Sequence, residues 1–199
     1  MGDARTVLGL LKEIFSGNTY GFEAAIDIAE DSKEAIQQQW EQAHKQPEWA
    51  ALNEASDGQI QDTIPALSEP VPDHWVKMDG ELSFFLSSKT PLLARGMMSH
   101  PYALPNDGLL DLLLVRGKQS LAKQLGIFDK VEKGNHLTSS IVEYYKVRAF
   151  RLTPKPRVGQ AAYVAVDGEH APTKPFQVQV HPRMMSVLSL QPTFHRAKI

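Results

Sequence analysis

Hydrophobic and polar positions alternate along much of the chain with two different periods. Val7, Leu8, Leu10, Leu11, Ile14 and Phe15 recur at helical spacing. Asp3 precedes them and Ser16-Gly17-Asn18 follows, which predicts a helix from about Ala4 to Ser16. Tyr20, Phe22, Ala24, Ile26 and Ile28 alternate with smaller or polar residues, the signature of a one-sided strand. Asp31 and Glu34 then mark a capping-box-like start, with Ile36, Trp40 and Ala43 forming the apolar face of a helix that ends near His44. From 46 to 72 the chain is polar and carries Gln, Asn, Asp and Pro, so an irregular insertion is expected there.

Beyond it, Trp75–Met78, the pair Asp79-Gly80 and Glu81–Ser87 read as strand, turn and strand. Leu109 to Val115 is apolar on both faces except for Asp111, which predicts a central strand covered on two sides. Ser120 to Val131 reads as a helix with Leu121, Leu125 and Phe128 on one face, closed by Gly134-Asn135. Ile141 to Leu152 is a long strand, and Thr153–Pro156 a turn. Val158–Val166 and Phe176–Val180 are two β-type runs flanking Asp167-Gly168-Glu169, a turn expected to expose two carboxylates. Ser186–Leu190 is a last strand. The fold class that follows is α+β, mainly β: two packed antiparallel sheets, a β-sandwich, with about three helices. Residues 1–199 form one domain with a polar insertion at about 46–72.

Composition narrows the chemistry. The formal net charge is −2, which gives no electrostatic case for nucleic acid. With no cysteine, thiolate metal sites and cysteine nucleophiles are excluded. No 18-residue apolar run exists, so membrane contact is expected to be peripheral. Seven histidines occur without metal-ligand spacing, and no metal site is expected. Arg5 falls in the first helical turn, where the dipole disfavours a cation; that placement points to an anion held there.

Six short pieces share the order of a known family: Met-Gly-Asp-Ala-Arg-Thr-Val-Leu-Gly at 1–9, Glu-Pro-Val-Pro-Asp-His-Trp at 69–75, Gly-Asn-His-Leu at 134–137, Val-Arg-Ala-Phe-Arg-Leu-Thr-Pro at 147–154, Val-Asp-Gly-Glu at 166–169 and Gln-Val-His-Pro at 179–182. On these, the chain resembles the C-terminal half of sphingosine kinases, the sphingoid long-chain-base kinases of the diacylglycerol-kinase-like lipid kinases, in their fungal form. The resemblance implies a preceding nucleotide-binding domain with a Gly-Gly-Asp-Gly-Thr phosphate loop and a catalytic aspartate in Ser-Gly-Asp-Gly. Neither motif occurs in this sequence. Met1 is accordingly expected to match an internal methionine, and no general base is expected among these residues.

The resemblance implies ATP and Mg²⁺ as cofactors and a sphingoid long-chain base as substrate, phosphorylated on its primary hydroxyl. It assigns Arg5, Asp167, Gly168 and Glu169 to ATP. It assigns Leu10, Ile127, Phe128, Val131 and His136 to the lipid, in a pocket between the sheets. Read from the residues alone, the apolar four are plain core and His136 a loop histidine. The implied location is cytoplasmic, peripherally on membranes. The isolated chain is expected to be inactive. Two rivals stand beside this reading: a lipid-binding module without chemistry, and part of a ceramide or diacylglycerol kinase.

Overall fold

A computed structural model describes residues 16–45, 62–160, 164–182 and 184. The helix predicted over 4–16, with Arg5 and Leu10, and the strand predicted over 186–190 lie outside the described residues. The chain is mainly β, with a five-stranded antiparallel sheet and a separate two-stranded one. The elements are β1 (Tyr20–Glu30), α1 (Lys33–Ala43), β2 (Val76–Ser88), β3 (Leu110–Arg116), α2 (Leu121–Val131), a 3₁₀ turn (Asn135–Thr138), β4 (Glu143–Lys155), β5 (Val164–Val166), β6 (Glu169–Ala171) and β7 (Phe176–Gln179).

The larger sheet curls until it meets itself. β1 pairs with β2 along one edge and with β4 along the other, while β3 bridges β2 and β4. β7 continues the sheet on β4, pairing Phe176–Gln179 with Ala149–Leu152. Facing walls of one closed sheet therefore enclose the main core. That core takes Phe22, Ala24 and Ile26 from β1, Met78 and Leu82 from β2, Leu110, Leu112 and Leu114 from β3, and Val147, Phe150 and Leu152 from β4.

Two bulges set which side chains enter. Between Leu82 and Phe84 the β2–β3 register slips by one residue, so Met78 and Leu82 point inward before the slip and Phe85 after it. Between Asp27 and Ile28, β4 gains an extra residue at Arg148, and the inward set changes from Val147 to Phe150 and Leu152. A one-residue slip inverts the faces of everything beyond it.

β3 is buried on both faces, as its continuous apolar run predicts. Its outer side meets a second core of Ile36, Tyr102, Leu113, Val115, Leu137, Val142 and Tyr144, onto which Trp40 of α1 and Ile127 of α2 pack. A third cluster joins Trp75 to Ala25 and Ala149, with Ile64 and Val71 beside it.

Several local expectations are corrected. Asp79-Gly80 is no turn: β2 runs straight through it, with Asp79 opposite Glu23 and Gly80 opposite Phe22. Long-range pairing with β1 overrides the local turn tendency. α1 is capped by Ser32, whose hydroxyl accepts from the Ala35 amide, rather than by Asp31. β4 extends through Thr153–Lys155 because β1 pairs with it there. The described part of the polar insertion, 62–72, has no helix or strand but is tied down: Arg151 donates to the carbonyls of Pro65, Ala66 and Glu69.

Candidate functional site

The Asp167 turn is a tight two-residue hairpin. Val166 pairs with Glu169 across Asp167 (φ 50°) and Gly168 (φ 86°). Both central residues have positive φ, the geometry of a type I′ turn, which Asp-Gly accepts at low steric cost. The tip is exposed, as the sequence implies. Its arms differ from the expected ones: β6 ends at Ala171, and Phe176–Gln179 leaves the hairpin to pair with β4 as β7. Asp167, Gly168 and Glu169 thus sit on a small projecting ribbon separate from the main sheet.

The lipid candidates gather elsewhere. Ile127, Phe128 and Val131 are half-buried on α2, and His136 is 1% exposed in the 3₁₀ turn that follows. Ile127 packs against the outer core, and none of the four is among the side chains that form the core of the closed sheet. α2 also turns its face differently from the helical-wheel reading. Gln124 is buried, its amide donating to the Gln119 carbonyl, while Leu121 and Leu125 are 44% and 37% exposed.

The loop 97–104 fits under the end of α2. The Met98 amide donates to the Val131 carbonyl at 3.0 Å. Gly134 has φ 74°, and a Cβ there would lie 2.8 Å from Pro101 Cβ. Only glycine gives both the left-handed backbone and that close approach. His136 Nε2 then lies 3.0 Å from the Ser99 carbonyl, to which it donates. The neighbouring His100 is fully buried: its Nε2 donates to the Leu86 carbonyl at 3.3 Å, and its Nδ1 accepts from the Ser99 hydroxyl at 2.8 Å. Burial, as the leading cause, pushes both imidazoles down to about 4, so both are neutral at pH 7.

A second polar group lies behind this loop. Lys146, 2% exposed, donates to the Tyr102 carbonyl at 2.9 Å and to Asp107 and Asp111 at 2.8 Å each. Tyr144 donates to the other oxygen of Asp111 at 2.5 Å. Desolvation pushes the Asp111 carboxyl up to about 6 against the pull of Lys146. Lys89 binds Asp107 and the Leu104 carbonyl, closing the ring of contacts around 102–109. The network clamps the loop that carries Ser99 and His100 to β3 and β4. Nothing local in the sequence marks these partners, because each is distant along the chain from the group it binds.

A shallow groove of about 190 Å³ runs between α1 and the 3₁₀ turn, lined by Lys33, Gln37, Tyr102 and Asn135 among others. The Lys33 ammonium there already donates to the Leu137 and Ser139 carbonyls, which leaves a polar cleft unsuited to an acyl tail. Among the described residues, no three His, Asp or Glu side chains are grouped to hold a metal ion. No described helix is long and apolar enough to cross a membrane.

Comparison with known proteins adds a frame to this geometry. Residues 84–189 match the model of the YegS C-terminal NAD kinase beta sandwich-like domain. Sphingoid long chain base kinase 4 of Schizosaccharomyces pombe is 30% identical over 190 residues, 95% of this chain and 40% of the relative. Sphingoid long chain base kinase 5 of Saccharomyces cerevisiae is 32% identical over 61% of this chain and 18% of the relative. Human sphingosine kinase 2 is 33% identical over 65% of this chain and 20% of the relative. The chain thus spans well under half of each of these proteins.

Proposed function

The chain belongs to the family of the YegS C-terminal NAD kinase beta sandwich-like domain, and on that premise we propose that it is the lipid-binding part of an ATP-dependent sphingoid-base kinase. The observation that carries this reading is the 30% identity to a sphingoid long chain base kinase sustained over 95% of the chain. In this reading ATP's γ-phosphoryl passes to the primary hydroxyl of sphingosine or sphinganine. Phosphoryl transfer depends chiefly on positioning and charge stabilisation. The chain's share is positional. The projecting Asp167-Gly168-Glu169 tip borders the nucleotide, where its carboxylates accept hydrogen bonds from ribose or base donors. Arg5, with its planar fork, holds phosphate oxygens. Ile127, Phe128, Val131 and His136, with Leu10, line the path of the alkyl chain. Mg²⁺ is held by the phosphates and by a partner nucleotide-binding domain rather than by residues of this chain.

The partner domain supplies the phosphate loop and the general base. Membrane contact is peripheral and cytoplasmic, made by apolar surface such as the exposed leucines of α2. Titration of the purified chain with a fluorescent sphingosine tests the lipid role; saturable binding is expected, and its absence overturns the reading. The same preparation is expected to transfer no phosphoryl group from ATP to sphinganine. Turnover by the chain alone would place the general base within these 199 residues. A module that binds lipid without any kinase partner is the second reading; retention of lipid binding with no response to ATP distinguishes it.

A further inference from the structure

Asp-Gly pairs occur at Asp57, Asp79, Asp107 and Asp167. In such a pair the second residue has no Cβ, so its amide nitrogen is open to approach by the aspartate Cγ. The first of them lies outside the described residues, and the other three meet very different surroundings. Asp79 and Gly80 run within β2, held opposite Glu23 and Phe22 of β1. Both carboxylate oxygens of Asp107 are engaged: Oδ1 accepts from Lys89 at 2.7 Å and from the Leu109 amide at 2.9 Å, and Oδ2 accepts from Lys146 at 2.8 Å. Asp167 has neither restraint. It is exposed, and no described group binds its carboxylate. Its φ of 50° is the one positive value among the described non-glycine residues, and a Cβ on Gly168 would meet nothing within 4 Å.

Little holds the ribbon that carries this turn. β5 and β6 pair with each other over three residues and with no other described strand. An isolated two-stranded ribbon is marginal in water, so the turn opens while the main sheet stays folded. We propose that Asp167-Gly168 is a site of spontaneous backbone isomerisation. The Gly168 amide nitrogen attacks Asp167 Cγ. The N–Cγ bond forms, the carboxyl hydroxyl leaves as water with the amide proton, and a cyclic succinimide results. Water then opens the ring. Cleavage of N–Cγ restores aspartate, whereas cleavage between the nitrogen and the former backbone carbonyl carbon gives isoaspartate. No oxidant or reductant enters, and the net charge is unchanged. The product routes the chain through Cβ and Cγ, one methylene longer, and leaves a carboxylate on Cα. A two-residue turn cannot absorb the added atom, so Val166 and Glu169 lose their pairing. The partner that fits this residue is a carboxyl methyltransferase using S-adenosylmethionine: it esterifies the new carboxylate, and loss of methanol returns the chain to the succinimide. The inference stands whether or not the hairpin borders a nucleotide.

The test ages the whole chain at neutral pH in H₂¹⁸O, folded and, in parallel, unfolded in urea. Peptide mapping then reads isoaspartate and ¹⁸O at each Asp-Gly pair. Unfolded, the pairs are expected to isomerise at similar rates. Folded, Asp167 is expected to lead Asp79 and Asp107 by about tenfold, a factor that about 1.4 kcal/mol of local opening free energy supplies. Purified isoaspartyl methyltransferase is expected to label the aged folded chain at position 167. Asp167→Glu keeps the carboxylate but disfavours ring closure, and it is expected to lose that label. Three results overturn the inference: no lead of Asp167 over Asp79 and Asp107 in the folded chain, a folded rate at Asp167 more than about tenfold below its unfolded rate, which would show that the turn shields its own amide, or an undiminished methyl label in Asp167→Glu.

Discussion

Lys146 and Asp111, neighbours across β4 and β3, place an ammonium 2.8 Å from a carboxylate with both side chains almost wholly out of water. Breaking such a pair costs more than the pair contributes, because one charge is left stranded. Lys146→Met is expected to destabilise the fold by about 3–5 kcal/mol in urea unfolding. The double variant Asp111→Asn/Lys146→Met is expected to recover part of that loss. A double variant no more stable than the single one would show that Asp107, the second carboxylate on Lys146, dominates the cost.

The same buried groups give stability a pH dependence whose sign is fixed. His100 and His136 titrate near 4 when folded against about 6.5 when unfolded, so between those values the unfolded chain holds two more protons. Asp111 titrates near 6 when folded against about 3.9 when unfolded, so there the folded chain holds one more. The net is one proton favouring the unfolded state. Unfolding free energy is expected to rise by about 1.4 kcal/mol per unit between about pH 4 and 6.5 and to level off above about 7. Urea melts at pH 4.5, 5.5 and 7 check it. His136→Gln is expected to flatten the slope, and a stability that falls with rising pH would contradict the neutral imidazoles.

Gly134→Ala adds a Cβ where Pro101 and Met98 already stand and forces a left-handed backbone on alanine. A loss of about 1–3 kcal/mol is expected, read as a lower melting temperature. Because Gly134 leads directly into the 3₁₀ turn, the His136–Ser99 hydrogen bond is expected to loosen with it.

Leu121 and Leu125 contribute little to packing, being substantially exposed on α2. The pair Leu121→Ser/Leu125→Ser is expected to change stability by less than about 1 kcal/mol. If this face meets the bilayer, co-sedimentation of the chain with vesicles falls in the variant. Undiminished sedimentation would move the membrane contact elsewhere.

What the sequence made legible depends on the range of the interaction. β3 was readable because Leu110 to Val115 are apolar at every position but Asp111, and no neighbour is needed to see that both faces are covered. The Asp167-Gly168 turn was readable because turn chemistry is local. β2 was misread at Asp79-Gly80, where pairing with Glu23 and Phe22 decides the backbone. Leu121, Leu125 and Phe128 form a true helical stripe, yet the fold buries the neighbouring face with Gln124. The bulges that invert the inward sets of β2 and β4 leave no mark in a periodicity count. The buried Lys146–Asp111–Tyr144 group looks like ordinary strand polarity until the strands are set side by side.

The ring of strands has a consequence for how this molecule is made. Gly21 of β1 pairs with Lys155 of β4, so the circuit stays open until Lys155 has left the ribosome. Until then β1 and β2 present two apolar walls with nothing to face, and closing so wide a loop is slow. Nascent chains of this kind are natural clients for holding chaperones, and stalling translation before Lys155 should leave a protease-sensitive product.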